Sequence, residues 1–332
     1  MIWLWSPASR PPGASSDQAL AHVEPMVWAR PNETYKAIEE LLAKPLSRRC
    51  MFVWHPEKHD PQAWSADRET RLIEGAQTEA GYRYWLDCFA HAKRRGVDGI
   101  AEIVVDYEGG GGGLNYWQMA SNGKIAQALD TIQSAQSAKN LPASSKLRSI
   151  PARSANRRSH SKSVYEPLNQ HVAELVNAWI RDTIARAYET TYGIAPRISN
   201  YGNATTPWPD INGKLNPVGT VNSTSAPTLY LRPNRGSRRA YLDNLLKEWE
   251  SEPVGSAAWL SPGFRGDPDR FEMPDELDLE LVEAVSRKAG SIILWTGDLW
   301  SRRDASSAEQ QLARKRQHAA CRMIASAVLN DR

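Results

Sequence analysis

Asp106 and Glu108 stand two residues apart, after the apolar run Ile103-Val104-Val105 and before five consecutive glycines, Gly109 to Gly113. Alternate side chains of a strand share a face, so both carboxylates would project together from its C-terminal end. Burial and mutual repulsion separate the pKa values of such a pair, leaving one acid protonated and the other ionised. That asymmetry suits hydrolysis by general acid catalysis. Glu108, the longer and outer of the two, is the expected proton donor, with Asp106 as its orienting partner. Glu102 has the same parity lower on the strand, where a structural role paired with a basic residue is expected.

The elements that must position these acids follow from periodicity. Strands are expected at Ile2–Trp5, Met26–Ala29, Cys50–Trp54, Ile100–Asp106, Arg197–Tyr201, Thr228–Leu231, Ala257–Leu260 and Ser291–Trp295. Helices are expected at Glu33–Ala43 (capped by Asn32), Glu79–Arg95 (capped by Thr78, ending at Gly96), Glu166–Tyr192 (closed by Gly193), Ser237–Glu250, Leu277–Lys288 and Ser307–Leu329. Strands alternating with helices give an α/β chain, and eight of them point to a (β/α)8 TIM barrel. One domain is expected over residues 1–332, with a long insertion, 109–164, after the fourth strand. A doubly wound open sheet is the alternative, but no Gly-rich phosphate loop follows an early strand. On this count Asp106-Tyr107-Glu108 closes the fourth strand at the barrel's C-terminal face, where the fold places active sites.

Five strand ends carry an aromatic residue shortly before proline: Trp5 with Pro7, Trp28 with Pro31, Trp54 with Pro56, Tyr230 with Pro233, and Trp259 with Pro262. The second and sixth strands both run into Arg-Pro-Asn, at Arg30 to Asn32 and Arg232 to Asn234. Proline ending a strand and asparagine capping the next helix explain part of this pattern, but not the aromatics. The chain has 13 tryptophans against 4 phenylalanines, and an indole's flat face with its N–H suits stacking on a sugar ring. Trp5, Trp28, Trp54 and Trp295 are therefore expected at a binding site, whereas Trp179 and Trp249 read as helix packing.

An apolar strand ending Asp-x-Glu in fourth position, here Val104-Val105-Asp106-Tyr107-Glu108, resembles the (β/α)8 glycoside hydrolases of the chitinase, hyaluronidase and lysozyme-like muramidase groups. The resemblance implies a glycosidase in which Glu108 protonates the glycosidic oxygen. In the chitinase and hyaluronidase versions Asp106 would orient the substrate's own N-acetyl group for attack on the anomeric carbon. It also implies an assisting tyrosine from a later strand, matched by Tyr230 with Tyr201 as second candidate, and a sugar-floor tryptophan on the last strand, matched by Trp295. The implied partner is a polysaccharide, with one containing N-acetylhexosamine as the narrower expectation, and no cofactor is implied. Ala101 and Val104 stand where the longer chitinase pattern has two further acids, and the cysteines cannot form hyaluronidase-type disulfides.

Other residues bear less chemistry. His55-Pro56-Glu57-Lys58-His59 has metal-ligand spacing, but Pro56 prevents a regular helix and no second His cluster completes a set, so no metal is expected. His55 then serves as a substrate contact. Asp298 could be a second carboxylate, although a loop or capping role is the plainer reading. Arg30 and Arg232 could hold an acidic sugar or a phosphate, or be solvated loop residues. A metal-dependent hydrolase using Asp106, Glu108 and His55 is a further possibility, and a non-catalytic carbohydrate-binding or assembly barrel is the rival from another class.

The net charge of +3 conceals a segment, 139–162, with seven basic residues and no acid, without which the remainder carries −4. This stretch reads as a solvated loop, and it lacks the interleaved aromatics of a nucleic-acid surface, so no nucleic-acid partner is expected. No apolar run is long enough for a membrane span, and a soluble chain is expected. Met1 to Pro7 lacks the features of a signal peptide, which suggests a cytoplasmic protein or one released by another route. Three scattered cysteines argue for buried free thiols.

Overall fold

The computed structural model describes residues 1–5, 23–30, 33–44, 49–54, 78–106, 180–202, 226–231, 237–250, 252, 254–264, 272–295 and 307–330. Each expected strand has an observed counterpart. They are β1 Ile2–Trp5, β2 Val23–Pro25, β3 Val27–Ala29, β4 Cys50–Trp54, β5 Glu102–Asp106, β6 Ile198–Gly202, β7 Ala226–Leu229, β8 Ala257–Leu260 and β9 Ser291–Trp295. The expected second strand starts earlier than its pattern suggests and is interrupted at Met26, giving β2 and β3. The helices are α1 Thr34–Leu42, α2 Thr78–Arg94, α3 Arg186–Tyr192, α4 Arg238–Glu250, α5 Glu276–Ser286 and α6 Ser307–Asn330. A π-helical turn, Arg181–Ala185, leads directly into α3.

All strand neighbours pair in parallel, in the order β2-β1-β9-β8-β7-β6-β5-β4-β3. The two ends of that order, β2 and β3, are consecutive pieces of chain. β2 pairs with β1 (Ile2 with Val23), β3 pairs with β4 (Val27 with Met51), and Met26 between them donates its N–H to Leu4 O at 3.1 Å.

The sheet curls on itself. β4 and β8 lie four strand spacings apart in the order, about 19 Å in a flat sheet, yet the rings of Phe52 and Trp259 are 6.1 Å apart. Curling sorts the side chains into two shells by parity. The inner shell holds Trp3, Met26, Cys50, Phe52, Val104, Tyr230, Ala257, Trp259 and Ile293. Outward-facing Val27, Met51, Val53, Ile103 and Val105 pack with α1, α2 and α3. Ile2, Leu4, Ala258, Leu260, Ile292 and Leu294 pack with α4, α5 and α6. Strands buried on both faces read as continuous apolar runs, as these do.

The helices meet this sheet through their own periodicity. α1 buries Thr34, Ala37, Ile38 and Leu41, the one-sided spacing of an amphipathic helix. Its N-cap is Glu33, which makes no side-chain capping bond; the expected cap, Asn32, lies outside the described residues. α5 opens with a reciprocal capping box between Asp275 and Asp278, and Arg238 of α4 binds both carboxylates. Gly96 and Gly193, at φ +91° and +76°, supply the left-handed residues at which α2 and α3 stop. Among the described residues no helix is long and apolar enough to cross a membrane.

One charge is built into the inner shell. Glu102 is 2% exposed and is met by donors from three other strands. Trp3 Nε1 of β1 donates to Oε2 at 2.7 Å, and Ser291 Oγ of β9 donates to Oε1 at 2.9 Å. Ser199 Oγ of β6 donates to that same Oε1. Arg197 Nε lies 3.6 Å from Oε1, and Arg197 Nη2 donates to Gly255 O at 2.9 Å. Gly290 makes room for this guanidinium, because a Cβ there would lie 2.4 Å from Arg197 Nη2. The structural role expected for Glu102, paired with a basic residue, is observed, and that residue is Arg197.

Removing one member of a buried charge network leaves the others unpaired, so Glu102→Ala is expected to cost about 3–5 kcal/mol in urea unfolding. Glu102→Gln, which keeps an acceptor oxygen, should cost less; wild-type stability in Glu102→Ala would contradict this account of the interior. Cys50, Cys88 and Cys321 are free and buried. Burial pushes the Cys88 and Cys321 thiols up to about 12 and Cys50 well above its ordinary range. All three should resist an aromatic disulfide reagent at pH 8 in the folded chain and react together once it is unfolded.

Candidate functional site

Parallel pairing brings every strand's C-terminal end to one edge of the sheet, and those predicted site residues that are described fall along it. Asp106 is the last residue of β5, in register with Trp54 of β4. Trp5 ends β1 in register with Trp295 of β9, and Tyr201 of β6 is in register with Ala226 of β7. Glu108, His55, Arg232 and Asp298 lie outside the described residues.

Two aromatic groups occupy this edge. In the first, Trp28 of β3 lies 4.9 Å from Phe52 and 6.3 Å from Trp54, both on β4. The Arg30 guanidinium stands 5.4 Å over the Trp28 ring. In the second, Tyr230, just beyond β7, stacks on Trp295 with centroids 5.3 Å apart and planes at 23°. Phe264 completes it, 5.2 Å from Trp295 and 6.3 Å from Tyr230. Trp28, Trp54 and Trp295 are half-buried and pack on the inner shell, whereas Tyr230 is 5% exposed.

Backbone geometry explains why Phe264 joins the second group. Ser261 Oγ donates to Trp295 O at 2.9 Å, tying the end of β8 to the end of β9. Gly263 follows at φ +83°, and a Cβ there would lie 2.1 Å from Glu272 O. A residue with a side chain could not let the chain pass so closely, so glycine turns it and Phe264 folds back over Trp295.

The arrangement separates tryptophans that the sequence pattern grouped. Trp259 shares the aromatic-proline pattern, yet at 2% exposure it fills the interior and has no ring face left to offer. Trp28, Trp54 and Trp295 retain partly open surfaces. Phe264 was not among the expected site residues; its only sequence signal is its place next to Gly263, just after a strand-ending Ser-Pro. Among the described residues no group of three or more His, Cys, Asp or Glu side chains could hold a metal ion.

Because Trp295 holds Tyr230 on one side and Phe264 on another, Trp295→Ala should cost about 3 kcal/mol of stability. Trp295→Phe should recover much of that loss. Equilibrium unfolding checks both; an unaffected Trp295→Ala chain would mean that the aromatic group does not hold this edge together.

No known protein family matches the chain, and no curated protein matches it. Among solved structures, a GH5-4 broad specificity endoglucanase from an uncultured bacterium matches at 13% identity and a TM-score of 0.36, covering 90% of this chain and 84% of that one. A score this low leaves the site's chemistry to be judged from the residues themselves.

Proposed function

We propose that the chain is a single-domain (β/α)8 barrel, with 109–164 inserted after its fourth strand, and that it hydrolyses glycosidic bonds in a polysaccharide. The observation that carries the activity is the placement of half-buried Trp28, Trp54 and Trp295 at the same edge to which β5 delivers Asp106. Closure is supported by the chain segment 23–29, whose first half pairs with β1 and whose second half pairs with β4.

Glu108, two residues beyond Asp106, is the general acid: it gives its proton to the glycosidic oxygen as the bond to the anomeric carbon breaks. On an N-acetylhexosamine polymer, the substrate's N-acetyl oxygen attacks that carbon, with Asp106 orienting the group. Glu108 then takes a proton from the water that opens the intermediate. Tyr230 assists the N-acetyl group, and Trp5, Tyr201, His55, Arg232 and Asp298 complete the subsite. The burial of Tyr230 between Trp295 and Phe264 favours a second reading, a barrel that binds glycans without cleaving them.

Wild type and Glu108→Gln, assayed on N-acetylated and acidic polysaccharides, separate the two. The variant should lose at least about a hundredfold in cleavage rate while keeping its fold and its glycan affinity. Undiminished cleavage would refute Glu108 as the acid, and binding without cleavage by wild type would favour the second reading.

A further inference from the structure

We infer that Arg30 is a specificity-determining residue that selects a carboxylated sugar, a uronate, beside Trp28; this rests on the glycan-binding edge proposed above. Met26, Trp28 and Arg30 alternate along one stretch of chain. Met26 belongs to the inner shell and Trp28 packs against it, so the same parity carries Arg30 to the open end of that face. Its guanidinium lies 5.4 Å over the indole of Trp28, which holds the cation in a defined place. Below it the backbone is fixed by the Glu33 N–H, which donates to Arg30 O at 2.9 Å.

Several arginines of the helical layer behave differently. Arg95 pairs with Glu39, Arg181 with Asp182, Arg239 with Glu280, and Arg238 with Asp275 and Asp278. Arg30 makes no ion pair with any described residue, although Glu33 stands only three positions on. A guanidinium has no neutral form near neutral pH, and its planar N–H edge matches the two oxygens of a carboxylate. A sugar ring lying on an indole presents its ring substituents sideways. A uronate stacked on Trp54, whose ring lies 6.3 Å from that of Trp28, could therefore direct its carboxylate toward the fork of Arg30. A neutral hexose offers that fork a hydroxyl and leaves the charge uncompensated. A sulfate ester also offers two oxygens to the fork, but it carries them on an ester oxygen, farther from the ring than a uronate's carboxylate.

The test uses the full chain carrying Glu108→Gln, so that binding is read without turnover. It is titrated calorimetrically with oligogalacturonides and hyaluronan oligosaccharides, with the carboxyl-reduced form of each, and with dextran sulfate as a sulfated polyanion. At least one carboxylated oligosaccharide should bind about tenfold or more tightly than its reduced form, and more tightly than dextran sulfate. Adding Arg30→Gln should bring the ratio of carboxylated to reduced affinity close to one, and Arg30→Lys should give an intermediate ratio because it keeps the charge without the fork. Equal binding of both forms, an unchanged ratio in Arg30→Gln, dextran sulfate binding as tightly, or no binding to any of these glycans would overturn the inference. Cleavage by the chain with Glu108 restored is scored separately: a carboxylate-selective chain that cleaves nothing refutes the hydrolase but not the role of Arg30, and cleavage without carboxylate preference does the reverse.

Discussion

Segment 23–29 has to satisfy two neighbours at once. Its first residues hydrogen-bond to β1 and its last to β4, with Met26 between them bonded to Leu4. The two terminal positions of the parallel sheet are thus filled by one piece of chain. The same pairing forces curvature, and curvature makes the two faces of every strand unequal. The concave side is small and crowded with Trp3, Phe52 and Trp259; the convex side is broad enough to take the helices.

Crowding on the concave side governs where polarity can survive. Glu102 is tolerated there because Trp3, Ser199 and Ser291 supply donors and Arg197 a charge. Without them an ionised carboxylate so deep would be untenable. The cluster sits where β5 begins. The C-terminal edge follows another rule, in which polar groups stand beside large rings and surface is left open. Arg30 over Trp28 is the clearest case.

Much of this was legible in the residues. Runs such as Cys50–Trp54 and Ser291–Trp295 are apolar on both faces, so strand positions follow directly, and Gly193 marks a helix end by its chemistry. Glu102 could be assigned an inward, structural role from parity, although its basic partner, Arg197, could not be named. The break at Met26 was not visible, because it depends on which partner each half of the segment meets. Nor was the π turn at Arg181–Ala185, whose extra residue is accommodated by packing and not by local preference. At the candidate site, the Asp106–Glu108 spacing and the strand-end tryptophans could be read, although the aromatic-proline pattern by itself groups buried Trp259 with half-open Trp54. Phe264 was invisible because its position depends on the close passage of Gly263 against Glu272, a contact between parts of the chain that share no pattern.

β5 begins with Glu102 and ends with Asp106. Four residue steps along the strand separate their backbones by about 13 Å, which exceeds the reach of either side chain. The anchoring carboxylate and the Asp106 position of the proposed site thus stand at opposite ends of one strand. Mutation at the outer end can explore new chemistry while the root of the strand stays fastened, so drift in specificity need not erode the fold. A lineage built on this strand could change what it recognises many times and still be the same protein underneath.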